Sequence, residues 1–413
     1  MNILFVHQNF PGQYRHIVRA LAKAGGNRLV ALAIEEPSEP IPAGVTHVRY
    51  GIRRASATDL QPWVQDVETK TIRGEACATA AHRLREQGFS PDLICGHPGW
   101  GEMLFLRDLW PEAPILTYQE FFYQAHGFDY DFDPELQGIP SWQDCARIRM
   151  KTANLLLNLE ISNWSVTPTA FQRSSFPPAW RSRLSVIHDG IDTHHARPRA
   201  DAPPLTLPDG TTLRQGEPIV TFVNRCLEPY RGCHTMIRAI PELQRLAPEA
   251  RLVIVGRTEG VSYGAVCQEG EWKDRFLAEI EGQFDPSRVH FSGHLPYKQF
   301  IPLLQLSAAH VYLTYPFVLS WSLLEAMSCA AAVVGSATAP VQEVIRHGHN
   351  GLLVDFFSPA ELAASVAELL ANRPLAERLG AAARATVLAD YSLKPCLSRQ
   401  LALMSLVASR AVG

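Results

Sequence analysis

The sequence predicts an α/β protein built from two doubly wound parallel sheets in tandem. Short apolar runs bounded by turn residues alternate with longer segments of helical period, a proline-rich stretch interrupts this alternation, and the alternation then begins again. The chain has 413 residues, 46% of them hydrophobic. At roughly 100–200 residues per domain, this length provides for two or three domains with substantial cores.

The apolar runs of the first half have the near-continuous hydrophobic character of strands buried on both faces. Segments of helical period separate them, and we expect residues 1–200 to form the first domain. The predicted strands are Ile3–Val6, Leu29–Ala33, Leu93–Cys95, Ile115–Tyr118, Ser165–Thr167 and Leu184–Ile187. The predicted helices are Tyr14–Lys23, Val67–Arg85 and Ile148–Leu159.

Prolines cluster between residues 193 and 218, and we interpret residues 201–218 as a linker. The second domain is expected over residues 219–390, and segment 391–413 has the pattern of a helix that packs back on the first domain. The predicted strands are Ile219–Val223, Leu252–Val255, Val289–Phe291, Val311–Leu313, Ala332–Val334 and Leu352–Val354. The predicted helices are His234–Leu246, Trp272–Gln283, Phe300–Leu306, Ser322–Met327, Val341–Arg346, Pro359–Ala371 and Leu375–Ala389.

Positive and negative charges are nearly balanced, with 38 basic and 41 acidic residues. Neither half has the basic excess of a protein that binds nucleic acid. The eight cysteines include no CxxC pair, and the first residues lack the basic flank and the length of a signal peptide. No apolar stretch reaches the length of a membrane span. We therefore expect a cytoplasmic protein with reduced thiols, for which peripheral contact with the inner membrane stays open.

Two arginines follow the first predicted strand of the second domain. Asn224 and Arg225 come directly after that strand, and Arg231 and Gly232 lie just before the next helix. Guanidinium groups donate paired hydrogen bonds to phosphate oxygens, and a helix N-terminus adds a positive dipole. The pattern indicates an anion site, although two arginines taken alone more commonly pair with surface carboxylates.

A later strand exit leads into another helix. Ser320 or Ser322 is suited to the N-cap, and Glu325 falls within about the first turn. A carboxylate at this place is stabilised by the helix dipole and can also accept hydrogen bonds from a vicinal diol. Taken alone, such a glutamate is most often structural.

The complete set of motifs, in this order and spacing, resembles the retaining nucleoside-diphosphate-sugar glycosyltransferases of family 4 over nearly the whole chain. The resemblance implies the GT-B architecture, in which two Rossmann-like domains face each other across a cleft. It also implies transfer of a sugar, from a UDP-sugar by default, to a hydroxyl acceptor in glycan or glycoconjugate biosynthesis, without a metal or another cofactor. The stretches that carry the resemblance are Ile3–Tyr14, Arg225, Arg231-Gly232, Ser287–Pro296, Glu325–Met327 and Gly348–Val354.

The resemblance assigns roles to individual residues. Arg225 and Arg231 would hold the diphosphate, with Arg231 standing where the family usually has lysine, and Glu325 would bind the ribose hydroxyls. Main-chain atoms near Gly293, His294 and Leu295 would meet the base. The positions implied to bind the donor are Gly12, Asn224, Gly232, Gly293, His294, Leu295, Ser320, Trp321 and Ser322.

Phe317 departs from the family pattern, which has a glutamate there that contacts a hydroxyl of the donor hexose. Phenylalanine accepts no hydrogen bond. Recognition of the sugar therefore differs, toward a deoxy or otherwise modified sugar, or activity is lost. The intact diphosphate and ribose positions favour a working enzyme.

Candidate residues of the first domain also follow predicted strands. Gly12 lies after the first strand, where the absence of a side chain permits close approach of a ligand. His97 follows the strand that ends at Cys95, and Gln119 and Glu120 follow the next one, near which the family usually places a sugar-contacting histidine. We expect contacts of His97, Gln119 and Glu120 with the sugar or the acceptor, while His97 is equally compatible with a capping role.

Other interpretations remain open at this stage. The acidic stretch Asp129–Asp133 lacks the glycine and glutamate positions of a calcium loop, and we expect it to be solvated. A sugar-nucleotide epimerase or hydrolase would use the same fold, and Phe317 is compatible with a non-catalytic nucleotide-sugar-binding protein. The acceptor is a glycan, a lipid-linked sugar or a small molecule.

Overall fold

The computed structural model describes residues 1–37 and 39–410 and divides the chain into two compact units. Unit 1 comprises Met1–Asp189 together with the C-terminal segment from Lys394 onward, and unit 2 comprises Gly190–Leu393. The first unit therefore ends at Asp189, before the boundary at residue 200 that the proline-rich stretch suggested. Residues 411–413 of the predicted segment 391–413 lie outside the described residues.

Unit 1 contains a parallel sheet whose strands are β1 (Asn2–Val6), β2 (Arg28–Ala33), β3 (Val45–Arg49), β4 (Leu93–Gly96), β5 (Ile115–Tyr118), β6 (Trp164–Thr167) and β7 (Leu184–Val186). Their spatial order is β3-β2-β1-β4-β5-β6-β7. The winding reverses between β1 and β4, and in such sheets the crevice at the carboxyl ends of these two strands binds ligands. The helices are α1 (Arg15–Ala24), α2 (Gln65–Glu86), α3 (Leu106–Leu109), α4 (Trp142–Lys151), α5 (Ala153–Ile161), α6 (Ala170–Ser175) and α7 (Pro178–Arg181).

Both faces of the first sheet are buried, and the residues of β1 alternate between them. Ile3 and Phe5 belong to a hydrophobic cluster that includes residues of α1. Leu4 and Val6 belong to a second cluster, which includes residues of α2. Because helices cover both faces, β1 is apolar at every position from Ile3 to Val6 rather than at every second one.

Unit 2 repeats this arrangement. Its strands are the antiparallel pair β8 (Leu205–Thr206) and β9 (Thr212–Leu213), and then β10 (Ile219–Cys226), β11 (Arg251–Arg257), β12 (Val289–Gly293), β13 (Ala309–Tyr312), β14 (Val333–Ser336) and β15 (Leu352–Val354). The six strands β10 to β15 form a parallel sheet in the order β12-β11-β10-β13-β14-β15, so the winding reverses between β10 and β13. The helices are α8 (Cys233–Leu246), α9 (Trp272–Glu279), α10 (Tyr297–Leu306), α11 (Trp321–Ser328), α12 (Ala339–Gln342), α13 (Pro359–Ala371) and α14 (Arg373–Thr386).

The last helix, α15 (Leu393–Ala408), contributes to the core of unit 1. Its buried residues Leu403, Met404 and Val407 belong to the same hydrophobic cluster as Ile3 and Phe5. The C-terminal segment thus packs with the strands from the beginning of the chain.

The segment interpreted as a linker, residues 201–218, is a structured part of unit 2. Its β8–β9 hairpin places Leu205, Leu207 and Leu213 in the hydrophobic cluster that also contains Ile219. The prolines in this segment made it resemble a linker, but the leucines between them are buried.

The prediction of two doubly wound parallel α/β domains is confirmed by the two sheets. Several elements differ from the prediction, which also lacked the short helices α3, α6 and α7 and the β8–β9 hairpin. Strand β3 was missed, because Val45–Arg49 has no fully buried residue. The predicted helix Ile148–Leu159 is divided into α4 and α5 near Thr152. Within the described parts of the chain, none of the helices combines the length and the apolar character needed to span a bilayer.

Candidate active site

The segments that follow β10 and β13 contact each other at the reversal point of the second sheet. The N–H of Tyr315, after β13, donates to the carbonyl of Tyr230, after β10, at 3.0 Å. The two tyrosine rings lie 4.7 Å apart between centroids. These contacts bring the arginine motif and the turn before α11 to the same end of the sheet.

Arg231 is buried beneath the turn that leads into α11. Its Nη1 donates to the Thr314 hydroxyl at 2.8 Å and to the Val318 carbonyl at 2.9 Å. The guanidinium carbon lies 5.3 Å from the ring centroid of Tyr263 and 5.8 Å from that of Phe317. The cation is thus held in a fixed position, with hydrogen bonds on one nitrogen and aromatic rings beside it.

Arg225 has a different environment, because it stands exposed on an irregular part of β10. The register with β11 shifts between Val223 and Cys226, so Asn224 and Arg225 form a bulge. A bulge redirects side chains at the end of a strand. Asn224 Nδ2 lies 3.5 Å from the carbonyl oxygen of Arg231, which connects the two parts of the motif.

Glu228 anchors the loop that follows β11. Its Oε2 accepts the N–H groups of Ser262 at 2.5 Å and Tyr263 at 3.1 Å. Burial raises the pKa of Glu228 above its usual value, while these N–H groups and the charges of Arg231 and Arg225 act in the opposite direction. The anchored loop places the Tyr263 ring against Arg231, a contact between distant parts of the chain that the sequence did not reveal.

Helix α11 begins with Ser320 as its N-cap. The Ser320 hydroxyl accepts the N–H of Ser322 at 3.3 Å, and the Ser320 N–H donates to the Tyr312 hydroxyl at 2.8 Å. Trp321 is half-buried and packs against the core of unit 2. Of the two predicted N-caps, the structure therefore selects Ser320, and it places the N-terminus of α11 beside the strand that ends at Tyr312.

Glu325 lies one turn into α11 and is 9% exposed. Its Oε1 accepts the Tyr297 hydroxyl at 2.6 Å. The Tyr297 ring also stacks on His195 at 5.5 Å between centroids. Tyr297 was not predicted as a site residue, since it lies before the predicted helix Phe300–Leu306 and outside the motifs that carry the resemblance.

The three residues implied to meet the base have different environments. Gly293 ends β12 with a φ of +61°, a conformation that favours glycine. His294 is exposed, whereas the Leu295 side chain is buried in the hydrophobic cluster of unit 2. A contact of the Leu295 side chain with a ligand is therefore not supported, and the contact of the main chain with the base stays a prediction.

Phe317 is 1% exposed, which does not support a direct contact of its ring with a sugar. It packs edge-on against Tyr230 at 5.6 Å and against Tyr263 at 4.8 Å between ring centroids. The residue that replaces the family's glutamate thus supports the aromatic wall beside Arg231.

Unit 1 has its own polar cluster at the reversal point between β1 and β4. His7 follows β1, and its ring lies 5.5 Å from that of His97, which follows β4. His97 stacks on Trp100 at 4.4 Å. His7 was not a candidate in the sequence, although its position directly after the first strand was the available signal.

Hydrogen bonds determine which ring nitrogen carries the proton in His7 and in His97. Nδ1 of His7 accepts the N–H of Asn9 and Nδ1 of His97 accepts that of Gly99, so each neutral ring carries its proton on Nε2. Burial lowers the pKa of His7 to about 4, and it lowers the pKa of His97 well below its usual value, to which the nearby His7 also contributes. Both imidazoles are therefore neutral at pH 7.

Gln13 and Glu120 complete this cluster. Nε2 of His7 contacts Gln13 Oε1 at 2.7 Å, and Gln13 Nε2 lies 3.5 Å from Glu120 Oε1. Nε2 of His97 is buried and has no hydrogen-bond partner among the described residues, and Glu120 Oε2 is 3.9 Å away. This distance exceeds a hydrogen bond, which leaves the His97 donor for another acceptor.

Two further candidates of unit 1 have structural contacts. Gln119 is completely buried and donates to the Thr117 hydroxyl at 3.1 Å, while its Oε1 has no hydrogen-bond partner among the described residues, so its contact with the sugar or the acceptor stays a prediction. Gly12 has a φ of +48°, and a Cβ there would lie 2.3 Å from Cε1 of His7. Glycine at this position allows the loop to close over the histidine.

The acidic stretch Asp129–Asp133 is not the solvated loop that we expected. Asp129 is 2% exposed, and the Asp133 side chain is fully buried. Asp133 Oδ1 accepts the N–H of Glu135 at 3.0 Å, and the Asp131 carboxylate accepts that of Gly127. These carboxylates stabilise turns of the main chain, and residues 1–37 and 39–410 include no group of three or more His, Cys, Asp or Glu side chains arranged to hold a metal ion.

Two family models match the chain. Residues 25–196 match the glycosyl transferase family 4 group, and residues 206–386 match the glycosyl transferases group 1. Together the two matches extend over most of both units. The chain belongs to the GT-B glycosyltransferases of the family 4 type.

Curated relatives match the chain to different extents. A glycogen synthase of Mycobacterium tuberculosis is 26% identical over 95% of this chain and 91% of its own length. The chain spans only about half the length of two others. An alpha-maltose-1-phosphate synthase of Mycolicibacterium smegmatis is 27% identical over 53% of this chain and 55% of the relative. A GDP-mannose-dependent phosphatidylinositol monomannoside mannosyltransferase of M. tuberculosis is 30% identical over 53% and 54%.

Solved structures share the fold. A sucrose-phosphate synthase from Thermosynechococcus elongatus superimposes with a TM-score of 0.73 at 18% identity, covering 99% of this chain and 100% of that one. Anabaena Alr3699/HepE in complex with UDP-glucose gives a TM-score of 0.65 at 16% identity, over 98% and 99%. At these identities the likeness establishes the GT-B fold of this chain.

Proposed function

We propose that the protein is a retaining glycosyltransferase that transfers a sugar from a nucleoside-diphosphate sugar to a hydroxyl acceptor. The observation that carries this proposal is the reversal point of unit 2. There, the Arg231 cation is fixed beside the turn into α11, and the exposed Arg225 extends from the bulge of β10. Two guanidinium groups and a helix N-terminus suit a diphosphate better than any uncharged ligand.

The reaction proposed here depends on electrostatic stabilisation. As the bond between the anomeric carbon and the phosphate oxygen breaks, negative charge develops on the leaving diphosphate. Arg225, Arg231 and the N–H groups at the start of α11 would stabilise this charge without having to reorganise. The departing phosphate oxygen then accepts the proton of the acceptor hydroxyl, so no side-chain base is required, and the proposal includes no metal ion.

Glu325 is assigned to the ribose. Its carboxylate accepts the Tyr297 hydroxyl, which holds it in place on α11, and carboxylate oxygens are suited to accept hydrogen bonds from ribose hydroxyls. In unit 1, we assign the unpaired Nε2–H of His97 and the half-exposed carboxylate of Glu120 to hydroxyl groups of the sugar or the acceptor.

We propose uridine as the base of the donor, and a glycan, a lipid-linked sugar or a small molecule in the cytoplasm as the acceptor. The structural likeness to a protein solved with UDP-glucose supports uridine. The relative that uses GDP-mannose makes guanosine the competing base. A thermal-shift screen with UDP, GDP and dTDP separates these, because the ligand that binds the native protein most tightly gives the largest rise in melting temperature.

Variants at the two charged positions test the proposal. We expect Arg225→Ala and Glu325→Ala each to lower the rate of sugar transfer by about 100-fold or more, since each removes a contact that the transition state requires. Arg214→Ala is the matched control, because Arg214 is an exposed arginine of unit 2 away from this site. Near-normal transfer by either site variant would contradict the proposal.

Phe317 motivates a second candidate, a protein that binds nucleotide sugars without turnover. Its aromatic ring fills the position of a hexose-binding glutamate and is buried against Tyr230 and Tyr263. Calorimetry with a panel of nucleotide sugars, followed by a transfer and hydrolysis assay, distinguishes the two. Binding without any turnover supports this second candidate, and release of free sugar without transfer indicates a hydrolase.

A further inference from the structure

A basic groove runs along the edge of unit 1, between the end of β3 and one face of α2. It contains a cavity of about 820 Å³. A second cavity of about 470 Å³ shares four lining residues with the first, so the two are continuous. We call them together the β3–α2 groove. The shared residues are Ile52, Arg53, Arg54 and Ile72.

Arginine side chains dominate the polar lining of the β3–α2 groove. Four of them line the first cavity, against one carboxylate, that of Glu75. Arg49 pairs with Glu36, but the other three make no ion pair with any residue in the described ranges 1–37 and 39–410. The chain as a whole has a net charge of −3, so this cationic surface is a local feature. The four arginines are Arg49, Arg53, Arg54 and Arg83.

The floor and the outer wall of the groove are structurally defined. Ile72 and Leu84 of α2 are buried beneath it. The outer wall is the extended segment after β3, which is tied to α2 at its far end. The Ser56 hydroxyl contacts that of Thr69 at 2.7 Å, and the Ala57 N–H donates to Glu68 at 2.9 Å. An apolar floor below guanidinium groups suits a compact organic molecule that carries a phosphate group.

Arg73 connects the groove to the polar cluster of unit 1. It lines the second cavity, and its Nη1 donates to Gln8 Oε1 and lies 3.5 Å from Glu102 Oε1. Gln8 follows His7 at the carboxyl end of β1. Arg73 therefore links the groove, through Gln8, to the loop that carries His7.

We propose that the β3–α2 groove binds a phosphate group of the acceptor substrate, so that the acceptor is an anionic phosphate ester rather than a neutral glycan. This inference rests on the function proposed above. The phosphate belongs either to a soluble sugar phosphate or to a lipid headgroup, which share the chemistry that Arg53 and Arg54 would recognise. The arginines hold the phosphate, and the acceptor hydroxyl extends toward the cluster of His7 and His97.

Binding to the full chain tests the proposal. One arm titrates glucose 6-phosphate against glucose, and the other uses vesicles of phosphatidylcholine with 30% phosphatidylglycerol against pure phosphatidylcholine. We expect one phosphate-bearing probe to bind at 50 mM salt, and to bind more weakly at 300 mM because the contact is electrostatic. The arm that responds identifies the source of the phosphate. If neither phosphate probe exceeds its neutral partner, the proposal is wrong.

Matched double variants locate the binding. Arg53→Ala with Arg54→Ala should weaken the binding of the responding probe at least tenfold. Arg149→Ala with Arg399→Ala removes the same charge from exposed positions of unit 1 outside the groove and should change it less than twofold. Equal weakening by both pairs would show nonspecific attraction and overturn the proposal.

The Arg225→Ala variant separates this inference from the proposed function. Groove binding should persist in it while the affinity for the nucleotide falls. If the Arg53→Ala, Arg54→Ala variant loses probe binding and keeps nucleotide binding, the groove is confirmed as the phosphate site. If this variant binds the probe as well as the wild type does, the proposed phosphate site is wrong, and the proposed function is unaffected. Failure of every nucleotide to bind the wild-type chain would refute the proposed function instead.

Discussion

Gly232 shows how the site depends on a single residue. It joins the turn that carries Arg231 to helix α8, and its φ of +70° lies in the region that favours glycine. A Cβ at this position would come within 2.4 Å of the Leu313 Cβ, on the segment that follows β13. The absence of a side chain therefore lets the two loops at the reversal point approach each other.

We expect Gly232→Ala to lower the free energy of unfolding by about 1–3 kcal/mol through backbone strain and the clash together. Because the clash separates Arg231 from Thr314, the affinity for the nucleotide should fall as well. Denaturant unfolding and nucleotide titration measure the two effects. Gly270→Ala is the matched control, since Gly270 also has a positive φ, of +73°, but a Cβ at this position would have no neighbouring atom within 4 Å. Equal losses in both variants would mean that the contact with Leu313 is unimportant.

At the residue scale, the sequence revealed side chains whose local pattern is informative, and it missed those whose partner is distant in the chain. Arg231 and Ser320 were recognisable because each lies between a strand and a helix. Tyr297 meets Glu325 across 28 positions, and Glu228 meets Ser262 across 34. Neither pair has a spacing that secondary structure imposes, so only the folded chain brings them together.

At the element scale, α11 is a short helix whose first turn serves the site. The Ser320 hydroxyl satisfies one of the N–H groups that the helix itself leaves unpaired, and the N-terminus of a helix is a place that favours an anion. We expect Ser320→Ala to lower the free energy of unfolding by about 1 kcal/mol and to weaken nucleotide binding by about three- to tenfold, because the first turn becomes less ordered.

Ser358→Ala provides the comparison for this prediction. Ser358 caps α13 through the N–H of Glu361 at 3.2 Å, much as Ser320 caps α11. The two variants should therefore be destabilised to a similar extent in thermal unfolding, and only Ser320→Ala should lose nucleotide affinity in calorimetry. A loss of affinity in Ser358→Ala would mean that general destabilisation, rather than the geometry of α11, explains the effect.

Element prediction succeeded where burial is two-sided and failed where it is not. The central strands β1 and β10 are buried at successive positions and mostly apolar there, because helices cover both faces of each sheet. The edge strand β3 is only partly buried and therefore gave no apolar run. In the β8–β9 hairpin, strands of two residues are too short for any periodicity, so the neighbouring prolines determined the interpretation.

At the scale of the whole molecule, buried histidines couple stability to pH. Burial lowers the pKa of His7 and His188 to about 4 and that of His310 to about 3, from an ordinary value of 6.5. Between pH 6.5 and 4, the unfolded chain binds protons at these positions while the native chain does not. Stability is therefore present above pH 6.5 and is lost as the pH falls through this range.

For each such histidine, the free energy of unfolding should fall by about 1.4 kcal/mol per pH unit in this range. Burial raises the pKa of Glu102 and Glu228, and these groups oppose the trend above pH 4.5, because the native state then holds their protons more tightly than the unfolded state does. Near pH 5 the three histidines outnumber the two glutamates. The free energy of unfolding therefore still falls as the pH is lowered. We therefore expect urea unfolding to show a free energy that decreases steadily from pH 6.5 to pH 4.5.

His310→Asn isolates one contribution to this slope. His310 lies on β13, where its Nδ1 contacts the Thr221 hydroxyl of β10 at 2.8 Å, and asparagine can retain a polar contact there without a titrating ring. The variant should show a slope that is shallower by about 1.4 kcal/mol per pH unit between pH 6.5 and 4.5, whatever its stability at pH 8. Above pH 7.5, where the imidazole is neutral in both states, the two proteins should show the same dependence on pH. An unchanged slope at acidic pH would mean that His310 accepts a proton in the native fold, and that the sheet of unit 2 opens to water before the molecule unfolds.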